Sequence, residues 1–292
     1  MIPGLLLQLP GLTLRIREEH FWLKQVVKDH GIDAVISDNR YGLYHESIPC
    51  VIMTHQLQVA TGAGRLADEL VRRIHYRFLG RFREVWVPDV AKSINLSGKL
   101  GHPPALPEET RYLGLLSHLQ KGNNVSETKP GSTLLILLSG PEPQRGILSE
   151  KLWSQLFGYR GNVCFVEGSP SVSPRQNIPE NVDYHLQLTG ELLRWHLETA
   201  ALVICRSGYS TLMDLIAFNR KAYLIPTPGQ TEQEYLAKHL FESDIFPWSD
   251  QARFTLENAL LEAEKFAYRP FPADKCFDLH EPVLEHWLEK IP

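Results

Sequence analysis

The sequence contains no apolar run long enough to cross a membrane. Its most apolar stretch, MIPGLLLQLPGL at residues 1–12, is interrupted by Pro3 and Pro10. No basic segment precedes it and no small-residue cleavage site follows it, so neither a signal peptide nor a membrane span is expected. We predict that this stretch is a loop leading into a helix of a folded domain.

Cysteine is scarce, and no two cysteines form a CxxC pair. Cys50, Cys164, Cys205 and Cys276 are scattered, and three of them lie in or beside apolar, strand-like runs. This pattern predicts reduced thiols in the cores of a cytoplasmic protein rather than a disulfide framework or a zinc site.

A large excess of one charge is also missing. The net charge is −4 over 292 residues, so no nucleic-acid partner is expected. Hydrophobic residues make up 43% of the chain, which is enough to form folded cores, and the length favours two domains.

The first part of the chain alternates between strand and helix patterns, as a parallel α/β domain does. We place this domain at residues 1–110. Its predicted elements are helices 14–29 and 63–82 and strands 33–38, 49–55 and 84–89. Three strands are few for such a domain, and the Gly-rich strand–turn–helix that usually opens one is missing. We therefore predict that the N-terminal domain is incomplete, because the chain begins part-way through a domain or carries a reduced form of it.

A stretch rich in Pro, Gly, Ser and charge predicts a linker at 111–132, and residues 133–292 then form a C-terminal domain. Its apolar strands again alternate with helical patterns. The predicted strands are 133–140, 163–168, 201–208 and 221–228, and the predicted helices are 144–157, 190–199, 209–218, 231–240 and 254–267. The fold class is therefore α/β, with two Rossmann-like, doubly wound domains.

A turn of small and hydroxyl residues separates the predicted strand at 201–205 from the predicted helix at 209–218. A helix start presents unpaired N–H groups and the positive end of the helix dipole, so it favours an anion. Gly208 lets a ligand approach the backbone closely, and the hydroxyls of Ser207, Ser210 and Thr211 add donors. The alternative is an ordinary helix cap by Ser207 or Ser210.

Two further groups of polar residues are expected at the same edge of the sheet. Asp214 lies one turn into the helix and could reach a ribose, as acids do in nucleotide sites. Gln233 and Glu234 follow the next strand and its Pro-rich turn at 226–229. Because the carboxyl ends of adjacent parallel strands share a crevice, these residues are expected to converge.

The segment CRSGYSTLMDLIAFNRKAYLIPTPGQTEQEYLAKHL, residues 205–240, resembles the donor-binding signature of GT-B glycosyltransferases of family 28. The resemblance extends over about 130–245, and more weakly over 30–90. It implies a diphosphate contact, a ribose contact and a donor-sugar contact. The resemblance places the diphosphate contact on Ser207, Gly208, Ser210 and Thr211. It places the ribose contact on Asp214 and the donor-sugar contact on Gln233 and Glu234.

Three other residues are candidates at strand ends. Arg145 follows LLSGPEP, where the family has a Gly-rich turn, and its charge could bind phosphate; the alternative is a surface charge. His55 corresponds loosely to a histidine that borders the cleft in the family and is the candidate catalytic residue, although a structural role is the alternative. Asp38 is similarly placed, with helix capping as its alternative.

The arginine-rich helix at 63–82 could lie on an anionic membrane or meet a lipid pyrophosphate, although an ordinary solvated face is the alternative. We expect a cytoplasmic glycosyltransferase, with peripheral membrane association as a candidate location. It would take a nucleotide-diphospho-sugar, with UDP as the expected nucleotide, and a lipid-linked acceptor is a candidate.

No cofactor or metal is expected, because no DxD motif suited to Mn²⁺ or Mg²⁺ is present and a helix dipole can stabilise the leaving diphosphate. Two alternatives stay open. One is a non-catalytic, nucleotide-sugar-binding half that works with a partner subunit. The other is a UDP-sugar epimerase of the same architecture.

Overall fold

A computed structural model describes residues 2–58, 64–92, 94–119, 133–273 and 276–291. The chain divides into two compact units. The first unit comprises Met1–Leu116 together with Asp274–Pro292, and the second comprises Ser117–Ala273. Of the predicted linker at 111–132, residues 120–132 lie outside the described residues.

The first unit contains a four-stranded parallel sheet in the order β1-β2-β3-β4. Its elements in chain order are α1 (Ile2–His30), β1 (Val35–Asp38), β2 (Cys50–Met53), α2 (Arg65–Leu79), β3 (Glu84–Val87), a short 3₁₀ helix (Gly98–Leu100) and β4 (Thr110–Tyr112). The three predicted strands are all present.

The structure differs from the prediction at two places in this unit. A fourth strand, β4, lies at the edge of the sheet, where the sequence indicated the end of the domain. The N-terminal stretch is helical from Ile2, so the predicted loop there is wrong. Pro3 falls in the first helical turn, where no backbone N–H is needed, and the leucine-rich stretch favours a helix.

The second unit contains a five-stranded parallel sheet in the order β7-β6-β5-β8-β9. Its elements are β5 (Thr133–Leu137), α3 (Gln144–Leu156), β6 (Val163–Val166), β7 (Val182–His185), α4 (Gly190–Thr199), β8 (Ala200–Cys205), α5 (Tyr209–Ala217), β9 (Ala222–Leu224), α6 (Thr231–Glu242) and α7 (Leu256–Lys265). The strand β7 is the one element here that the sequence did not indicate.

The order of the second sheet reverses direction between β5 and β8. The chain runs outward from β5 through β6 to β7, then returns and continues on the other side through β8 to β9. In an open parallel sheet, ligands bind outside the carboxyl ends of the strands at such a reversal. The turns after β5 and β8 are therefore the place where the fold itself favours a binding site.

The last helix, α8 (His280–Leu288), packs with the first unit, whereas the sequence indicated that residues 133–292 form one domain. The buried ring of Trp287 meets Trp86 edge to face, with centroids 5.4 Å apart. Lys290 Nζ lies 3.0 Å from Glu84 Oε1. Both contacts join the end of the chain to β3, so this segment completes the core of the first unit.

Truncation of Trp287 tests this packing. We expect Trp287→Ala to lower the free energy of unfolding of the first unit by about 3–5 kcal/mol, because the ring leaves a cavity against Trp86. The matched control is Leu288→Ala, whose side chain is 57% exposed and which should change stability by no more than about 0.5 kcal/mol. Urea unfolding measures the free energy of unfolding of both variants. Equal losses of stability in the two variants would contradict the packing of Trp287 against Trp86.

Candidate functional site

The N-terminus of α5 lies at the carboxyl end of β8 and has no side-chain cap. Gly208 is the N-cap residue, and no side-chain hydrogen bond is made there. The first bond into the helix runs from Leu212 N–H to Gly208 O at 3.0 Å. The predicted alternative, a cap by Ser207 or Ser210, is therefore wrong.

The surface in front of this helix start is open. A Cβ atom built on Gly208 would meet nothing within 4 Å. Ser210 is exposed and Thr211 is half-buried, in the second and third positions of the helix. An anion could therefore reach both hydroxyls and the first backbone N–H groups together. The diphosphate role of these residues stays a prediction.

Ser207 connects this helix start to the start of α6. Its buried hydroxyl donates to Gln233 O at 2.7 Å. The side chain of Gln233 in turn accepts from Thr227 N–H at 2.9 Å, and Glu234 accepts from Gly229 N–H at 2.9 Å. The structure thus brings together the two segments that the sequence placed on neighbouring strands, and it fixes the intervening turn.

The turn itself has the backbone that its sequence demands. Gly229 has a φ of +82°, a conformation that side chains disfavour. Gln233 and Glu234 each use one side-chain oxygen to accept a hydrogen bond from a backbone N–H of this turn. Within the described part of the chain, the side-chain amide nitrogen of Gln233 makes no hydrogen bond. A contact with a donor sugar stays a prediction.

Arg206 is the residue of this site that the sequence analysis missed. Its side chain is fully buried, at 1% exposure, and it makes four hydrogen bonds of 2.7–3.1 Å. Two reach Ile225 O and Pro226 O after β9, one reaches Gln144 O at the start of α3, and one reaches Gln251 Oε1. Its place between Cys205 and Ser207, at the end of a buried strand, was the signal that could have revealed it.

The charge of Arg206 has no acidic partner among the described residues. Burial lowers the pKa of its guanidinium to about 10, which leaves it charged at neutral pH. Its buried Nε atom makes no hydrogen bond within the described chain. A buried positive charge is therefore held against the segments that follow β5 and β9, on the residue that precedes the Ser207-Gly208 turn.

Arg145 is buried rather than exposed, so the predicted alternative of a surface charge is wrong. Its guanidinium contacts the carboxylate of Glu142 and donates to Glu167 O at 3.0 Å. Glu167 is also buried and pairs with Arg175 at 2.7 Å. These contacts give Arg145 a structural role beside the β5 turn, and a phosphate contact stays a prediction.

Asp214 lies on α5 and is 6% exposed. Its Oδ1 accepts a hydrogen bond from Ser117 Oγ at 2.6 Å, and His118 Nδ1 lies 3.8 Å away. Burial raises the pKa of the Asp214 carboxyl, and the Ser117 hydroxyl and His118 oppose that shift. A ribose contact stays a prediction.

The two N-terminal candidates lie in the first unit. His55 is half-buried and follows β2, and Asp38 is the exposed last residue of β1. Both are at carboxyl ends of strands, as their sequence pattern indicated. Catalysis by His55 stays a prediction.

Comparisons with known proteins agree with this architecture. Residues 192–284 match the glycosyltransferase family 28 C-terminal domain. An uncharacterized glycosyltransferase of Methanosarcina mazei is 24% identical over 225 residues, which cover 72% of this chain and 58% of that protein. The chain thus spans less than two thirds of the length of this relative.

Solved structures share the fold at low identity. The spinosyn rhamnosyltransferase SpnG superposes with a TM-score of 0.63 at 14% identity, covering 96% of this chain and 80% of that one. MurG of Acinetobacter baumannii superposes with a TM-score of 0.52 at 17% identity, with the same coverage of 96% and 80%. The predicted α/β fold of GT-B type is therefore confirmed. The match over residues 192–284 confirms the predicted resemblance to family 28.

Replacement of Arg206 tests its role in holding the site. We expect Arg206→Met to lower the free energy of unfolding by at least about 1.5–3 kcal/mol, because buried carbonyls lose charged donors. Arg206→Lys should recover part of this loss. The control is Arg253→Met, whose 78% exposed side chain pairs with Asp250 and should matter little. Chemical unfolding measures the free energy of unfolding of all three variants. An unchanged free energy of unfolding in Arg206→Met would show that Arg206 does not hold the site together.

Proposed function

We propose that this chain is a glycosyltransferase that takes its sugar from a nucleoside-diphospho-sugar. The observation that carries the proposal is the open, uncapped N-terminus of α5 beside the β5–β8 reversal. The family 28 match over 192–284 includes this helix. The diphosphate would lie at the helix start, the nucleoside toward Asp214, and the sugar toward Gln233 and Glu234.

The chemistry follows from the charge that develops on the leaving group. When the sugar leaves its donor, negative charge grows on the nucleoside diphosphate. The α5 dipole, the backbone N–H groups and the buried Arg206 charge would stabilise that anion. These groups are in place before reaction, so the proposed transfer does not depend on a divalent metal at the phosphates.

UDP is the nucleotide that we propose. One superposed structure is the spinosyn rhamnosyltransferase SpnG complexed with thymidine diphosphate, with a TM-score of 0.60 at 15% identity over 99% of this chain and 82% of that one. That ligand is a pyrimidine nucleoside diphosphate, as UDP is. The family resemblance of residues 205–240 favours UDP, and the ribose hydroxyls of UDP suit the Asp214 carboxylate.

Calorimetric titration tests the donor site. We expect Ser210→Ala and Thr211→Ala to weaken UDP binding more than tenfold, because a charge-assisted hydrogen bond contributes about 1.5–3 kcal/mol. Neither residue caps the helix, so stability should change by no more than about 0.5 kcal/mol. Ser154→Ala removes another exposed helical hydroxyl and serves as the control.

The ribose contact is tested by comparing two ligands. Asp214→Asn keeps an oxygen for the Ser117 hydroxyl but removes the charge. It should weaken UDP and leave pyrophosphate almost unaffected, because only UDP has a ribose. The control is the exposed Glu257→Gln on α7. Equal losses for both ligands would remove the ribose role, and unchanged affinities in all variants would sink the donor site.

We further propose that the acceptor is presented at a membrane surface. Leu66, Leu70 and Ile74 form an exposed apolar stripe along α2, with Leu66 at 90% exposure. Arg73 and Arg77 are exposed on the same helix. An apolar stripe edged with arginine suits an anionic lipid surface. Within the described residues, no helix has the length and apolarity that a membrane span requires.

Vesicle sedimentation tests the membrane proposal. The chain should bind phosphatidylglycerol vesicles and bind phosphatidylcholine vesicles weakly, with the difference lost at high salt. Leu66→Ser combined with Leu70→Ser should reduce the bound fraction several-fold. Leu261→Ser, on the exposed side of α7, is the control. Equal binding by the double variant would show that α2 is an ordinary solvated helix.

A further inference from the structure

Four side chains of different chemistry converge at the edge of the second sheet. Cys164, Asp183, His185 and His196 each place one potential ligand atom within 4.8 Å of the others. Cys164 lies on β6, Asp183 and His185 lie on β7, and His196 lies on α4. We call this set the Cys164 cluster.

The register of the two strands explains the convergence. Cys164 pairs directly with Asp183, so both side chains leave the same face of the sheet. His185 is two residues beyond Asp183 and shares that face. Phe165, which follows Cys164, belongs to the hydrophobic core on the other face, and Tyr184, which separates Asp183 from His185, packs against that core.

Helix α4 supplies the fourth group to this face. His196 Nε2 lies 3.6 Å from Asp183 Oδ2, and the imidazoles of His185 and His196 have centroids 5.5 Å apart. His196 and Cys164 are almost fully buried, while the Asp183 side chain is 58% exposed and leaves a route from solvent. The cluster is therefore enclosed but reachable by a small ion.

One buried nitrogen of the cluster makes no hydrogen bond within the described residues, although buried polar atoms usually make one. His185 Nε2 is shielded from solvent and makes no hydrogen bond within the described chain. Asp183 Oδ1 lies only 2.9 Å away, but not along the direction in which the ring nitrogen can donate. Ligands of a common metal ion have this arrangement: their polar atoms lie close together but do not form hydrogen bonds with one another.

We propose that the Cys164 cluster binds a single divalent transition-metal ion, and that zinc is the ion that fits best. Sulfur, nitrogen and carboxylate oxygen are the three ligand types of protein zinc sites, and four ligands match its tetrahedral preference. One thiolate, one carboxylate and two neutral imidazoles would balance the charge of Zn²⁺. Ligand atoms in such a site lie about 3.5 Å apart, so small side-chain rotations would complete it.

The site is separate from the proposed nucleotide site. A cavity of about 290 Å³ beside the cluster is lined by Thr133, Asn162 and Val182, which lie at the amino ends of β5, β6 and β7. The Ser207-Gly208 turn of the proposed nucleotide site lies instead at the carboxyl end of β8. The ion would therefore be structural, and would join α4, the helix that leads into β8, to the edge strand β7.

A cysteine thiol is mainly protonated at neutral pH when no metal is bound, because its ordinary pKa is about 8.5. Zinc binds the thiolate, so binding releases that proton. Proton release in weakly buffered solution is a readout that does not depend on any enzymatic activity.

The test uses the full chain, stripped with a chelator and titrated with zinc and with cobalt. We expect one equivalent of zinc to bind, to release protons and to raise the melting temperature. Cobalt should give visible d–d bands and a thiolate-to-cobalt charge-transfer band. Absence of stoichiometric binding, or cobalt binding without the charge-transfer band, would overturn the proposal.

Variants locate the ion. Cys164→Ala should abolish the charge-transfer band, and His196→Gln should weaken zinc at least about 100-fold, more than loss of an outer contact costs. Cys50→Ala, a buried strand cysteine of the first unit, should keep the full spectrum and affinity. Should Cys164→Ala fail to fold, His185→Gln and the wild-type cobalt spectrum still decide the matter. Equal binding by Cys164→Ala and Cys50→Ala would place the ion elsewhere and refute the site.

Discussion

The arrangement of the candidate site depends on one buried cation. Burying a guanidinium is costly unless its donors are satisfied, and the two terminal nitrogens of Arg206 donate to carbonyl and amide oxygens from three separate segments. Strand β8 lies between β5 and β9 in the sheet. A residue at its carboxyl end is therefore the one that can reach the loops that follow both neighbours. Arg206 thus ties both loops to the end of β8, next to the start of α5.

The same residue links structure to the proposed chemistry. Its neighbours Ser207 and Gly208 make the turn into α5, and Ser207 bonds to the start of α6. A rigid turn, an uncapped helix and an unneutralised charge then lie within a few residues of one another. Anion binding needs fixed donors of this kind, because donors that must reorganise give up part of the stabilisation.

The sequence predicted the buried parts of the fold well and its edges poorly. Strands such as 84–87 and 163–166 are buried on both faces and consist mostly of apolar residues, so the sequence shows them as apolar runs. The two strands that were missed, Thr110–Tyr112 and Val182–His185, are sheet edges with polar residues and partial burial. The packing of α8 with the first unit depends on the contact between Trp287 and Trp86. A local sequence pattern does not indicate this contact, because the two residues are far apart in the chain.

The site shows the same division. The turn at 207–211 and the segment at 226–240 could be predicted, because their residue types favour a turn followed by a helix start. Arg145 could not be assigned, since only tertiary contacts distinguish a buried arginine from a surface one. For Arg206, the one signal in the sequence was its place at the end of a buried strand. The Cys164 cluster was hidden for a related reason: its members lie on three elements and meet through strand register rather than through sequence spacing.

In the proposed function, the start of α5 holds the diphosphate of a nucleotide. A crystal structure of the full chain with UDP would show this contact itself. We expect phosphate oxygens about 3 Å from the backbone nitrogens of the first helical turn and from the Ser210 and Thr211 hydroxyls. A nucleotide bound elsewhere, or an empty helix start at saturating UDP, would contradict it.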